Sequence, residues 1–588
     1  MPGAERKAAK ETAECKARVD AERQAGKGPV WQVNEPDDEE KDWVDTNGQK
    51  DNEDSEQKAV GEAAGLKVKE TAVIPGKAAE PRLSLEQKVA RMCITGLPSR
   101  EADAAYLERL TQQPVGGIGL FPHNISGEEQ LRGLVCGVKD AAGKLGLPSP
   151  YYISIDEEGG TLANLKAFFP HVPGNRAVKL TGDPEAAYLQ GKLIGSQLQE
   201  LGIPMNWAPV LDVNTNIRNP VVGVRSYGEE PVCVAAFGSA YIRGLHEAGI
   251  AATAKHFPGH GQVDGDSHFE LPSCSLTLEE LRSGPLLPFA AAIEAGCDAV
   301  MMAHIVFPEI PQSEGLPASL SPFFAAQLLR GEMGFEGVIC TDDVEMGAIK
   351  NSYPPERIGE LAVLAGNDLI LMCHTPDFQD RVIRGIVEAV RAGRIPEARI
   401  DESMRRLTRL HRRMEEYAQQ SRPIPRTEWA REAAELTRRT LTLLADPLGL
   451  LPLKPQARYT LLLPQPERLT LADNTDSGEL SLGRLLSEQG LDITVRMIPN
   501  DPGAEVISAL AAEIEEDEAV IMGTWNAHIF TGQLVLADVL ARKKPLIAAV
   551  LRNPYDAGLL PGSATVIAVC NTSTYALKAL ADMLYRLN

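Results

Sequence analysis

The chain has 588 residues, enough by length for several domains, and its 44% hydrophobic and 24% charged residues are ordinary for a globular protein with a sizeable core. A net charge of −22 argues against binding a nucleic-acid backbone, which requires a basic face. No apolar run approaches the length that spans a bilayer, so neither a membrane nor a nucleic acid is an expected partner.

Residues 1–80 are polar and carry the acidic run PDDEEKDWVDTNGQKDNEDSEQ, a composition too poor in apolar surface to fold alone. They read as a disordered or loosely docked arm, with Trp31 and Trp43 as its docking candidates. The first residues lack the apolar core of a signal peptide, so a cytoplasmic location is expected. Nine cysteines form no CxxC pair and read as buried thiols.

From Leu83 short apolar runs alternate with stretches of helical period, the pattern of βα units around a parallel sheet. The strand candidates are CITGL, VGGIGLF, YYISI, NWAPVLDV, AATAKHF, AVMMAHIVF, FEGVICTD and DLILMCH. Eight such units predict a (β/α)8 barrel of the TIM type over residues 81–415. A Pro-punctuated linker is expected at 416–430. YTLLLPQ, DITVRMIP, EAVIMGTW, PLIAAVLRNP and TVIAVCN then predict a smaller doubly wound α/β sandwich domain over 431–588.

Barrel active sites lie at the carboxyl ends of the strands, and chemistry-capable residues recur where these apolar runs stop. They are Asp156, Asp212, Lys255, His256, His304, Asp342, Asp343 and His374, with Arg225 nearby in sequence. Strand ends favour Asp as a turn former, which accounts for one or two of them. The whole set fits a shared pocket for a polyhydroxylated neutral ligand such as a sugar.

KHFPGHGQVDGDSH, residues 255–268, has the densest chemistry. A metal site would use His256, His260, Asp266 and His268, but Pro and Gly between the first two histidines prevent the helical spacing of a zinc motif. A phosphate loop would end in Lys-Ser or Lys-Thr before a helix, and this stretch does not. An exposed glycine loop is the bland reading. A catalytic loop fits better, because Asp266 can pair with His268 across the small Ser267, orienting the imidazole and stabilising its charged form.

That string, with IDEEGG, NWAPVLDVN, GVRSYG, MMAHI and GVICTDDVEMGAI, resembles glycoside hydrolase family 3, in particular its β-N-acetylglucosaminidase branch. The resemblance runs from about Leu83 to Arg413, and LRNPYD resembles part of that family's second domain. It implies a retaining exo-β-N-acetylglucosaminidase without cofactor or metal, acting on muropeptide or chitooligosaccharide fragments. Asp342 would be the nucleophile and His268, held by Asp266, the acid/base. Asp156, Arg225, Lys255 and His256 would bind the sugar, with Asp212 and His304 as further candidates. Asp343 is the rival nucleophile, since only one of two strand neighbours should face the pocket. Glu157, Glu158, Glu270 and Glu345 are the rival acids. The loop glycines would let His268 move. Thr161 and Asn164 stand where the family usually carries arginines, which bears on the substrate contacts. The alternatives are a phosphorylase on the same scaffold and a non-catalytic sugar-binding barrel.

Overall fold

A computed structural model describes residues 83–144, 152–455, 457–468, 470–475, 481–514 and 519–586. The arm at 1–80, with Trp31 and Trp43, lies outside the described residues. Eight parallel strands close a barrel in sequence order: β1 Cys93–Gly96, β2 Gly117–Leu120, β3 Tyr152–Ile155, β4 Met205–Asn206, β5 Ala251–Phe257, β6 Ala299–Met302, β7 Val338–Asp343 and β8 Leu369–Met372. β1 pairs with β8 through Ile94 and Leu371, which removes both sheet edges. The strands are apolar and buried along almost their whole length because helices cover their outer side. The helix Pro376–Arg391 shows how the cover is built: Val382, Ile383, Ile386 and Val387 recur at helical spacing and are buried.

The fourth candidate strand is shorter than the apolar run NWAPVLDV. Past Asn206 the regular ladder stops, since Pro209 has no N–H to give, and the chain stays beside β5 through the carbonyls of Ala208 and Pro209 and a bridge between Val210 and Lys255. After the helix Glu397–Gln420, the helix Trp429–Thr440 leads into the second sheet. Its strands are β9 Thr442–Ala445, β10 Arg458–Pro464, β11 Asp492–Ile498, β12 Ala519–Thr524, β13 Leu546–Val550 and β14 Thr565–Ala568, in the order β11-β10-β12-β13-β14-β9. All pair in parallel except β9, an antiparallel edge strand absent from the sequence-based expectation. Its four residues alternate between half-buried and exposed, too weak a pattern to separate from the preceding helix. Two apolar cores, one on each face, complete the doubly wound domain. Of the cysteines described, Cys136 is exposed and the other seven are buried.

The second domain is tied to the barrel by polar contacts. Tyr555 donates to Glu229 and accepts from Asn214 at 2.8 Å, while Arg176 pairs with Glu229 at 2.7 Å and stacks on the Tyr555 ring. His528 bonds the carbonyl of Ile217 at 3.1 Å.

Candidate active site

A cavity of about 240 Å³ opens at the carboxyl ends of the barrel strands. Asp156, Arg225, Lys255, His256, His268 and Asp342 line it together, so most of the residues singled out in the sequence meet in one place. Asp212, His304 and Asp266 stand behind the lining.

Its floor is an ionic cluster. Lys255 follows Ala254 along β5 and its ammonium lies between the carboxylates of Asp156 and Glu158, 2.6 Å from the latter. Arg225 grips the same Glu158 through Nε at 2.9 Å and Nη2 at 2.7 Å. Burial disfavours the Glu158 anion, but the adjacent guanidinium and ammonium outweigh it and hold its carboxyl at about 2. For neighbouring Glu157 burial wins and pushes it up to about 8, although the N–H groups of Asn164 and Leu165 bond its carboxylate and Lys166 attracts it weakly. Arg225 was expected to bind the sugar, yet most of its donors are committed to Glu158 and to the carbonyl of Val221 at 3.1 Å.

The ladder slips between Lys255 and Phe257, so the alternation that would hide one of two neighbours fails and both Lys255 and His256 reach the cavity. Asp212, fully buried, supports His256: its Oδ2 is 2.7 Å from Nδ1, and its Oδ1 accepts the N–H groups of His256 at 3.2 Å and His260 at 2.7 Å. A carboxylate only accepts, so Nδ1 carries the proton and Nε2 is the nitrogen left for the cavity. His304 is likewise committed, to Ser319 at 2.8 Å and the carbonyl of Asp343 at 3.0 Å. Both residues therefore support the wall rather than form it.

β7 has a similar irregularity before Asp343, and both aspartates line the cavity, contrary to the expectation that one would turn away. Their commitments separate them. Asp343 accepts from the N–H of Glu345 at 3.0 Å and faces His374 Nε2 at 3.0 Å. Asp342 accepts only the N–H of Asp343, at 2.8 Å, and among the described residues no donor occupies its second oxygen. Burial opposes its charge, but His256, His304 and that N–H prevail and hold it at about 2, an anion at neutral pH.

Asp266 Oδ1 accepts both the N–H of His268 at 2.9 Å and its Nδ1 at 2.6 Å, the pairing read from the motif. The His268 side chain is 22% exposed against 9% for Asp266, so the ring is presented and the acid is sheltered. His260 instead points to Ser267 at 3.2 Å, and among the described residues no cluster of three or more His, Cys, Asp or Glu could hold a metal. Gly261 has a packing role as well: a Cβ there would stand 1.9 Å from the carbonyl oxygen of Val213.

The second domain also reaches the cavity. Leu471, Ala472 and Asn474 line it. Asn474 donates its N–H to the carbonyl of Thr161 at 2.8 Å and its amide to Asn164 Oδ1 at 3.0 Å, and accepts from the N–H of Ala163 at 3.2 Å. Thr161 and Asn164 thus dock a loop of the other domain. Sequence reasoning missed that loop; the available signal was that it follows β10, at the carboxyl end of a parallel sheet. Phe121 and Trp207, which add an aromatic wall, were missed too.

A barrel presenting an ionised carboxylate and an acid-supported imidazole in one cavity holds the groups that glycoside hydrolysis uses. Residues 84–410 match the model of the glycosyl hydrolase family 3 N terminal domain, and the chain belongs to that family. It is similar to a beta-hexosaminidase of Stenotrophomonas maltophilia (strain K279a), 35% identical over 302 residues covering 50% of this chain and 87% of that protein. A beta-hexosaminidase of Xanthomonas axonopodis pv. citri (strain 306) is 36% identical over 289 residues, 48% of this chain and 84% of that protein. Among solved structures, a glycoside hydrolase family 3 beta-N-acetylglucosaminidase from Paenibacillus sp. str. FPU-7 superposes with a TM-score of 0.78 at 36% identity, covering 86% of this chain and 97% of that one. No helix among the described residues is long and apolar enough to cross a membrane.

Proposed function

We propose that the protein is a retaining exo-β-N-acetylglucosaminidase that releases terminal N-acetylglucosamine from muropeptide or chitooligosaccharide fragments in the cytoplasm, without cofactor or metal. The observation that carries this reading is that His268, paired with Asp266 at 2.6 Å, lines the same cavity as the ionised Asp342. The names of the similar proteins support the choice of N-acetylglucosamine.

In the first step the Asp342 carboxylate attacks the anomeric carbon. The bond to the leaving oxygen breaks as His268 Nε2 gives that oxygen its proton. In the second step the neutral His268 takes a proton from water, whose oxygen attacks the same carbon and frees Asp342. An imidazole suits both steps because its ordinary pKa, about 6.5, is near neutrality. Asp266 keeps Nδ1 protonated, so Nε2 is the nitrogen that exchanges protons. Asp156, Lys255 and His256 hold the sugar hydroxyls, and the docked Asn474 loop replaces the missing arginines as wall.

The test compares 4-nitrophenyl N-acetyl-β-glucosaminide with N,N′-diacetylchitobiose, whose leaving group is poor. Asp342→Ala abolishes turnover of both, while His268→Ala damages chitobiose cleavage far more, since a good leaving group needs little acid help. Equal losses in His268→Ala, or an active Asp342→Ala enzyme, contradict the assignment. Sugar 1-phosphate appearing on addition of inorganic phosphate would make the enzyme a phosphorylase.

A further inference from the structure

Asp266 holds His268 with one oxygen only. Its other oxygen, Oδ2, accepts a hydrogen bond from Thr470 Oγ at 3.0 Å, in a buried contact between residues 204 apart in sequence. Thr470 belongs to the second domain, in the loop after β10.

The direction of that bond is fixed. Thr470 Oγ also accepts the N–H of Ala472 at 3.3 Å, so its single proton is directed to the carboxylate, which can only accept. The loop itself is pinned on both sides. Asn474 is bonded to Thr161, Ala163 and Asn164 of the barrel, and Asp473 is bridged by the buried Arg552 at 2.6 Å. The hydroxyl is therefore delivered by a rigid mount.

We propose that Thr470 is a positioning residue for the acid/base, the outer member of a Thr470–Asp266–His268 chain through which the second domain completes the barrel's active site. This rests on the function proposed for His268. Asp266 is only 8% exposed, and a carboxylate so sheltered keeps its charge and orientation by filling its acceptor sites. With Oδ1 taking two donors from His268 and Oδ2 one from Thr470, the group cannot rotate without breaking bonds at both ends. Without Thr470 the outer oxygen would seek another donor, and the turn of the carboxylate would carry the imidazole off its line to the leaving oxygen. Hydrogen bonds behind a catalytic group act in this way, fixing tautomer and ring orientation.

The test uses the full chain with Thr470→Val, close in shape but without the hydroxyl, and Thr470→Ser, which restores it. For Thr470→Val, kcat/KM on N,N′-diacetylchitobiose falls by roughly tenfold, the effect of one lost hydrogen bond to a charged group. On 4-nitrophenyl N-acetyl-β-glucosaminide the loss stays within about threefold, Thr470→Ser recovers most of both, and the thermal midpoint of Thr470→Val falls by only a few degrees, the cost of one buried hydrogen bond in a large fold. Added to Asp266→Asn, Thr470→Val causes little further loss, because the two act through one chain. A structural role alone would depress both substrates equally and add to Asp266→Asn; either result overturns the proposal. Leaving-group dependence in His268→Ala with none in Thr470→Val overturns the Thr470 assignment alone. Its absence from both variants removes the acid/base reading beneath it.

Discussion

Asp212→Asn is the sharpest probe of how the wall behind the cavity controls its front. Wild-type Asp212 has three donors: the His256 and His260 N–H groups on Oδ1 and His256 Nδ1 on Oδ2. Burial opposes the charge, but His256 and then His260 outweigh it and keep the carboxyl below its usual range. In the asparagine variant the amide oxygen can keep both backbone bonds, and the NH2 group then faces Nδ1. Two donors cannot share that 2.7 Å contact, so the imidazole moves its proton to Nε2 and presents a donor where the native ring offers an acceptor. One charge-assisted bond becomes neutral, a difference of about 1–1.5 kcal/mol, and a hydroxyl contact of the opposite sense is lost as well. Together they lower kcat/KM on 4-nitrophenyl N-acetyl-β-glucosaminide roughly 10- to 100-fold with the fold retained. Asp212→Ala removes the acceptor for all three donors at ~1–3 kcal/mol each and accumulates little folded enzyme. An Asp212→Asn protein with native thermal midpoint and kcat/KM within about twofold of wild type would refute the tautomer argument.

Two further changes report on stability. Glu157, whose ordinary value is 4.5, is pushed to about 8 by burial. Between those pH values the unfolded chain has released the proton and the folded chain has kept it, so stability falls by roughly 1.4 kcal/mol per pH unit and levels off outside the window. Glu157→Gln removes this term, and its gain in thermal midpoint grows from pH 5 to pH 8; a gain constant with pH would contradict the shift. Gly261→Ala puts a methyl group 1.9 Å from the Val213 carbonyl oxygen and 2.4 Å from its carbon, and rigid backbone cannot yield cheaply. It lowers stability by about 1–3 kcal/mol or more and, because the loop carrying His268 is displaced, depresses chitobiose cleavage more than cleavage of the nitrophenyl glycoside. An unperturbed melting curve would show that the loop has room to spare.

The barrel, the second α/β domain and most of the residues that line the candidate cavity were legible in the sequence. Apolar runs alternating with helical periods are local signals, and the rule that sites gather at strand ends turns them into a residue set without coordinates. The pairing of Asp266 with His268 was legible for the same reason: two residues apart, they can meet only locally. Tertiary structure decided what depends on neighbours distant in the chain. Arg225 is held by Glu158, and Asp212 and His304 stand behind the wall. Asp343 joins Asp342 at the cavity because the ladder is irregular there, and side-chain alternation holds only where pairing is regular. Thr470 and Asn474 bear no signature in a polar loop beyond the barrel; only the docking of the second domain brings them to Asp266 and Asn164. A residue's type and period fix what it can do, but the partner that commits its donors and acceptors is chosen by the packed fold.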